Sequence, residues 1–272
     1  MKKIFLFAFT SIVLFACKKE DTQPPVTDYS QYKIKTATHS LRNYSGMSSS
    51  LSSDTTSYIY EGSTYRYTRR TSMGSVHSFT HTLSNGIYTS ALYTNGTLSN
   101  QKTYDKLNAA GYIDSSWSSN NGTVTQSAKY NYQTDGMLSN AANYFSGYIN
   151  KAKYYYTNNA TTYYISERIP ISPGIPYALD SVVYEYIANL PYRAVFYGGG
   201  LPASFYGKPS KNLLQKTTYY DKLNNNAIRQ TMEYQYQTDD IGLVTKRILN
   251  MYTQPGNTLV QTDTTAYTYY NK

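Results

Sequence analysis

The chain reads as all-β: an antiparallel β-meander of tyrosine-rich hairpins, forming a curved sheet or incomplete barrel, with a short irregular or helical insert near residues 188–207. Three observations carry this reading. Turn-forming dipeptides recur at short intervals, tyrosines recur at the two-residue period of a strand, and long runs at helical spacing are missing.

The turns come first because they set the hairpins. Asn85-Gly86, Asn95-Gly96, Ala110-Gly111, Asn121-Gly122, Asp135-Gly136 and Ser146-Gly147 follow one another along the chain. Asn-Gly and Asp-Gly supply the positive φ angles of tight hairpin turns, and intervals of roughly 10 to 15 residues leave room for one strand each. The residues between are Tyr, Thr and Ser with occasional Val, Ile or Leu, which suit strands.

The 34 tyrosines fit the same geometry. Tyr-x-Tyr occurs at Tyr58/Tyr60, Tyr65/Tyr67, Tyr130/Tyr132, Tyr154/Tyr156, Tyr184/Tyr186, Tyr234/Tyr236 and Tyr267/Tyr269. Strand side chains alternate faces, so each pair projects to one side of its sheet, where cross-strand ring pairs contribute about 0.2–1 kcal/mol each. Tyrosine thereby stands in for an aliphatic core and keeps a hydroxyl for water or a partner.

Two phrases are written twice. "YNYQTDG" at 130–136 returns as "YQYQTDD" at 234–240, and "QKTYDKLN" at 101–108 returns as "QKTTYYDKLN" at 215–224. The order is conserved within the chain while the spacing differs by about one strand, which predicts two related meanders over about 55–166 and 205–272. Six of nine prolines fall in Pro170–Pro209, so 167–210 reads as a Pro/Gly-rich crossing, with Leu190–Tyr197 and Pro202–Tyr206 as single helical turns. Residues 32–272 are expected to form one repetitive domain.

The N-terminus fixes the compartment. Lys2 and Lys3 precede an uncharged stretch from Ile4 to Phe15, whose length of about twelve residues suits a signal h-region and is short of the roughly twenty that span a bilayer. Leu14-Phe15-Ala16 precede Cys17, the single cysteine, and resemble a bacterial lipobox. Residues 1–16 are thus expected to be a lipoprotein signal peptide, Cys17 the lipidated residue, and 17–31 a flexible tether. The alternative is a secreted protein whose cysteine lies inside a discarded signal. Lipidation of Cys17 would leave no free thiol, so the fold would rest on packing and hydrogen bonds. One acyl chain binds membranes only marginally, so a triacylated cysteine is the expected anchor. Lys18-Lys19-Glu20-Asp21 resembles the surface-export signal of Bacteroidota lipoproteins.

The formal charge of +9 falls to about +7 with the loss of Lys2 and Lys3. The excess is spread over separated pairs, Arg69-Arg70, Lys151/Lys153, Lys208/Lys211 and Lys246-Arg247, which argues against nucleic-acid binding.

Tyr132–Leu138 and Tyr93–Leu98 resemble YD-type repeats. The Asp beside Tyr is kept at Tyr104-Asp105 and Tyr220-Asp221 but the basic residue is missing, and the chain is too short to close a toxin-encapsulating shell. Phe205–Asp221 and Tyr234–Ile248 resemble the uncharacterised Bacteroidota lipoproteins that carry a porin-like antiparallel domain. That resemblance implies an envelope location and a β architecture, and it brings no catalytic residues. Ser, Thr, Asn and Lys stand opposite the tyrosines, so the expectation is a water-exposed sheet and not a lipid-embedded barrel.

Sites for chemistry are few. Gly207-Lys208-Pro209-Ser210 lacks the first glycine of a phosphate loop. His77 and His81 share a strand face about 13 Å apart, too far for one metal, with only His39 as a third histidine. Asp135 and Asp239-Asp240 open turns, where Asp bonds its own backbone. Asp54-Thr55-Thr56, Asp180-Ser181-Val182 and Asp263-Thr264-Thr265 resemble Bacteroidota O-glycosylation triplets. Trp117, with Tyr112 or neighbouring tyrosines, is the candidate for stacking on a sugar ring, against an end-cap role. No catalytic residue, cofactor or metal is expected. The expected function is a non-catalytic outer-membrane or cell-surface lipoprotein that binds a glycan or an envelope protein, the alternatives being a scaffold of an envelope complex or a hydrolase with unrecognised residues.

Overall fold

The computed structural model describes residues 33–45, 48–61, 64–157, 160–171, 178–191 and 212–270. Sixteen antiparallel strands follow one another. The first six are β1 (Ile34–Ser45), β2 (Ser48–Glu61), β3 (Thr64–Thr71), β4 (Val76–Ser84), β5 (Ile87–Thr94) and β6 (Thr97–Leu107). Next come β7 (Ile113–Asn120), β8 (Thr123–Tyr132), β9 (Leu138–Tyr144), β10 (Tyr148–Thr157) and β11 (Ala160–Pro170). The last five are β12 (Ala178–Pro191), β13 (Asn212–Asp221), β14 (Ala227–Thr238), β15 (Val244–Thr253) and β16 (Thr258–Tyr269). Each pairs with its chain neighbours.

The meander expectation holds, and its openness is corrected. β1 also pairs with β16, from Ile34↔Tyr269 to Asn43↔Gln261, so the sheet closes into a barrel. Closure removes both edges and pairs backbone groups that an open sheet would leave to water. No described residue is helical; Ala188–Pro191 of the expected insert belong to β12, and 192–207 lie outside the described residues. The crossing expected over 167–210 likewise contains the fourteen-residue β12, with Pro170 and Pro191 at strand ends, where a missing N–H is tolerated.

The turn chemistry follows the sequence. Asn85, Asn95 and Asn121 have φ near +50°, each followed by a positive-φ glycine, which is the two-residue hairpin geometry. A second loop form recurs at 71–75, 108–112, 133–137 and 239–243. Its first N–H donates to the carbonyl of the fifth residue, and the glycine at the fourth position donates back to the first. The repeated Tyr-x-Tyr-Gln-Thr-Asp phrase closes β8 and β14, which run toward the same barrel end and enter this loop. The other phrase falls on β6 and β13, which run in opposite directions.

Register sorts the side chains into two faces. One holds most of the buried strand residues, including Ala37, Tyr58, Tyr65, Tyr67, Ala128, Ala141, Val182, Thr217 and Tyr269. Burial also raises the hydroxyl pKa of Tyr130, Tyr154, Tyr164, Tyr184, Tyr219 and Tyr267 on that face. It is the concave, inward face, since crowding is greatest inside a closed wall. All seven Tyr-x-Tyr pairs point inward.

These pairs gather toward one end, where the described chain begins at Lys33 and ends at Tyr270. There the second tyrosine often clamps the wall. Tyr132 Oη donates to the Ile113 carbonyl at 2.6 Å, Tyr156 to Leu138 at 2.5 Å and Tyr269 to Val244 at 2.6 Å. Each bond reaches the first residue of the preceding strand, and the usual net contribution is about 1 kcal/mol. Ile34, Ala37, Tyr58, Tyr65, Tyr67, Leu243 and Tyr269 pack together as the core beside the closing seam.

Candidate functional site

The interior carries charge in a specific form. Among strand residues paired in register, the inward acids are Asp54, Asp105, Asp180, Asp221 and Asp263, and the inward bases besides histidine are Arg69, Arg168 and Arg247. No lysine or glutamate takes such a position. A short Asp keeps its carboxylate near the wall, where a planar guanidinium can lie across it.

Five of these side chains form one chain across the seam. Arg69 Nη2 donates to Asp54 Oδ2 at 2.8 Å; His39 Nδ1 lies 3.1 Å from the same oxygen, and His39 Nε2 lies 3.0 Å from Asp263 Oδ1. Arg247 Nη2 is 3.5 Å from Asp263 Oδ2. The chain therefore crosses β3, β2, β1, β16 and β15. The Asp263 hydrogen bond raises the His39 pKa; burial opposes this, and the charges of Asp263 and Asp54 add to the rise. Burial pushes Asp263 up, but the His39 hydrogen bond and the Arg247 and His39 charges outweigh it, and its pKa falls. The charged imidazolium, donating from both nitrogens, is the form the seam favours.

His81 is the opposite case. Its ring is 3% exposed between Tyr65 and Tyr67, with centroids at 5.3 and 5.7 Å. Ser90 meets Nδ1, Nε2 has no partner, and burial lowers the pKa to about 4. This histidine is neutral at pH 7. His77, on the same face, is held by Thr94 at 3.2 Å.

Farther round the wall an inward cleft of about 290 Å³ opens over β9 to β12. Tyr154, Tyr164 and Tyr184 form an aromatic side, with centroids 5.3 Å and 5.9 Å apart in sequence around the wall. Asn143, Asn150, Ser166, Arg168 and Asp180 supply the polar side. Asn150 Oδ1 accepts from Arg168 Nε at 3.1 Å, and Arg229 reaches Asp180 at 3.0 Å. Arg229 is the extra residue of a bulge between Gln230 and Ile228, a device that re-aims a side chain. A second inward recess shares Asn143 and includes Thr103, Asp105, Gln126 and Tyr130. Asp105 is buried, and burial raises its pKa despite the hydrogen bond from Ser116.

The sequence-selected residues fall elsewhere. Trp117 lies on the outer face, stacked on Tyr104 at 5.2 Å and 12°. Tyr112 lies in the 108–112 loop against Tyr132, with its hydroxyl 2.7 Å from where a Gly136 Cβ would sit. The fold does not bring the two together. Asp135 and Asp239 accept from Met137 and Leu243 in their own turns. In the three glycosylation-like triplets the Asp points inward into ion pairs, while Thr55, Ser181 and Thr264 face outward. Cys17, the tether and Gly207–Ser210 lie outside the described residues.

The outer wall decides what kind of barrel this is. Its registered positions hold ten bases, Arg42, Arg66, Arg70, Lys102, Lys106, Lys129, Lys151, Lys153, Lys216 and Lys246, and four acids, Glu61, Glu167, Glu185 and Glu233. Charged side chains thus recur around the outer face of the wall, where a membrane-spanning barrel carries an apolar band.

The class so defined is a closed antiparallel barrel with a polar outer wall and an aromatic, ion-paired interior. Its fold is similar to a porin-like protein from Bacteroides uniformis ATCC 8492, with TM-score 0.59 and 13% identity over 87% of this chain and 96% of that one. It is also similar to a porin-like protein from Bacteroides vulgatus ATCC 8482, with TM-score 0.51 and 10% identity over 89% and 100%. At such identities the likeness is one of fold. No family model and no curated protein matches the sequence.

Proposed function

We propose that this barrel is the ligand-binding body of a non-catalytic, outer-membrane or cell-surface lipoprotein, held by acyl chains on Cys17, and that its inward cleft takes a glycan. The observation that carries the reading is the cleft itself. Three tyrosine rings stand on one side and two amides, a guanidinium and a carboxylate on the other. A sugar ring presents an apolar face and a rim of hydroxyls, so it is matched by rings beneath and fixed donors and acceptors beside it. The hydrogen bond from Arg168 to Asn150 and the ion pair from Arg229 to Asp180 would preorganise the polar side.

The test is a glycan array probed with the full chain, followed by Tyr184→Ala, Asn150→Ala and Trp117→Ala. Loss of retention at least about tenfold with the first two, each removing a contact of about 1.4 kcal/mol or more, supports the cleft. Loss with Trp117→Ala alone would move the site to the outer wall, and no retention on any glycan would remove the reading. Palmitate labelling that persists in Cys17→Ala would remove the anchor.

A further inference from the structure

Positive charge on the outer wall is concentrated on one side. Lys106 on β6 pairs in register with Ser115 on β7, which pairs with Lys129 on β8; Lys129 pairs with Ala142 on β9, which pairs with Lys151 on β10. The three lysines therefore occupy one row across the strands, separated by small residues. Strands lie about 4.8 Å apart, so the ammonium groups stand over positions about 10 Å from one another.

Elsewhere on the wall, two of the five outward bases meet outward acids, and the other three, Arg42, Arg70 and Lys246, lie on three separate strands. Lys216 lies between Glu185 and Glu233 in register, and Arg66 pairs with Glu61. Along the lysine row only Glu167 appears, on β11 at its end. No ion pair holds Lys106, Lys129 or Lys151 among the described residues, and all three are exposed. Beside the row a shallow groove of about 300 Å³ is lined by Asn131, Asn140, Lys151, Lys153 and Tyr155, with Glu167 as its one acid. It adds amides and a ring to the charge.

We infer that this row is a docking surface for an acidic polysaccharide, a carboxylate-bearing chain lying across β6 to β10. Regularly placed like charges separated by small side chains match a polymer whose charges also recur. The row bends around a convex wall, which a flexible chain can follow, whereas a flat bilayer meets such a wall along a line. The amides and ring suit hydroxyl-bearing sugar units. This inference rests on the outer wall and is independent of the inward cleft.

The experiment is binding of the full chain to polygalacturonate, with dextran as the neutral comparison and a deoxythymidine oligomer as the second polyanion. The expected result is binding to polygalacturonate that weakens as salt rises, with dextran ignored. Lys106→Gln/Lys129→Gln/Lys151→Gln should weaken it at least about tenfold, because several exposed contacts act together. Arg42→Gln/Arg70→Gln/Lys246→Gln, with the same net charge, should change it less than about threefold. Equal losses in the two triple variants would overturn the inference, as would no binding to polygalacturonate. Tighter binding of the oligonucleotide would overturn the assignment to a polysaccharide. Far-UV circular dichroism of both variants separates a lost contact from a lost fold.

Discussion

His81 should give the barrel an acid limb of instability that one substitution removes. The unfolded chain binds a proton on this ring near its ordinary value of 6.5, while the folded chain resists until about 4. Between those values the unfolded state holds more protons, so stability falls as pH drops through the window and is fully present above it. From pH 7.5 to pH 5 the linkage amounts to about 2 kcal/mol from this ring alone. The perturbation is His81→Phe, which keeps a ring between Tyr65 and Tyr67 and leaves nothing to charge.

Urea unfolding of the full chain, followed by circular dichroism at both pH values, reads the effect. Other groups titrate in wild type and variant alike and cancel in the difference. The loss of the Ser90 partner is an offset at both pH values. The variant should gain about 2 kcal/mol on the wild type between pH 7.5 and pH 5. A difference that stays constant within about 0.5 kcal/mol would refute the buried, neutral ring.

His39 should act in the opposite direction and in another window. Its folded pKa is raised, so its contribution is present below the ordinary value of 6.5 and is lost as pH rises through the folded one. Wild type should therefore lose stability relative to His39→Gln as pH rises above 6.5, and parallel pH slopes would contradict the seam network. Gly136→Ala meets both a φ of +89° and the Tyr112 hydroxyl, whereas Gly122→Ala meets a φ of +83° and open space. The first should cost about 1 kcal/mol more than the second in denaturant unfolding, and Tyr112→Ala should abolish the excess. Tyr132→Phe should cost about 1 kcal/mol in the same assay by freeing the Ile113 carbonyl, and no change would show that water replaces the clamp.

Local chemistry in this chain was legible in its letters. Asn85-Gly86 and Asn121-Gly122 announce their turns because few residues tolerate positive φ. The Tyr-x-Tyr spacing likewise announces that each pair shares a face. What the letters do not carry is which distant strands meet. β1 and β2 are rich in Ser and Thr and have no Asn-Gly between them, so the turn rhythm begins after the strand on which closure depends. His39 and Asp263 lie at opposite ends of the chain, and no spacing rule links them. Asp54, Asp180 and Asp263 drew notice as the first letters of short triplets, while their inward ion pairs required the register. Trp117 drew notice as the single tryptophan, yet the three tyrosines of the cleft come from three successive strands and look alike in sequence to the other pairs. Pro170 and Pro191 suggested a crossing because a proline at a strand end reads locally like one that forbids a strand.

The position of the ion chain follows from a weakness in the seam. Register between strands is well specified where one face is apolar, and poorly specified where both faces are small and polar. β1 meets β16 through pairs such as Thr38↔Ala266, His39↔Thr265 and Ser40↔Thr264, and it meets β2 through His39↔Asp54 and Ser40↔Ser53. Few of these would resist sliding. A slip of one residue would turn His39 outward and leave Asp54 and Asp263 buried beside their arginines; a slip of two would carry the imidazole a further pair along, away from both carboxylates. Each carboxylate would lose one of its two cationic partners, and a hydrogen bond to a charged group contributes about 1.5–3 kcal/mol, more than the Ser and Thr pairs could return. The seam is thus aligned by charge around His39, and by packing at the end where Ile34, Ala37, Tyr58 and Tyr269 meet.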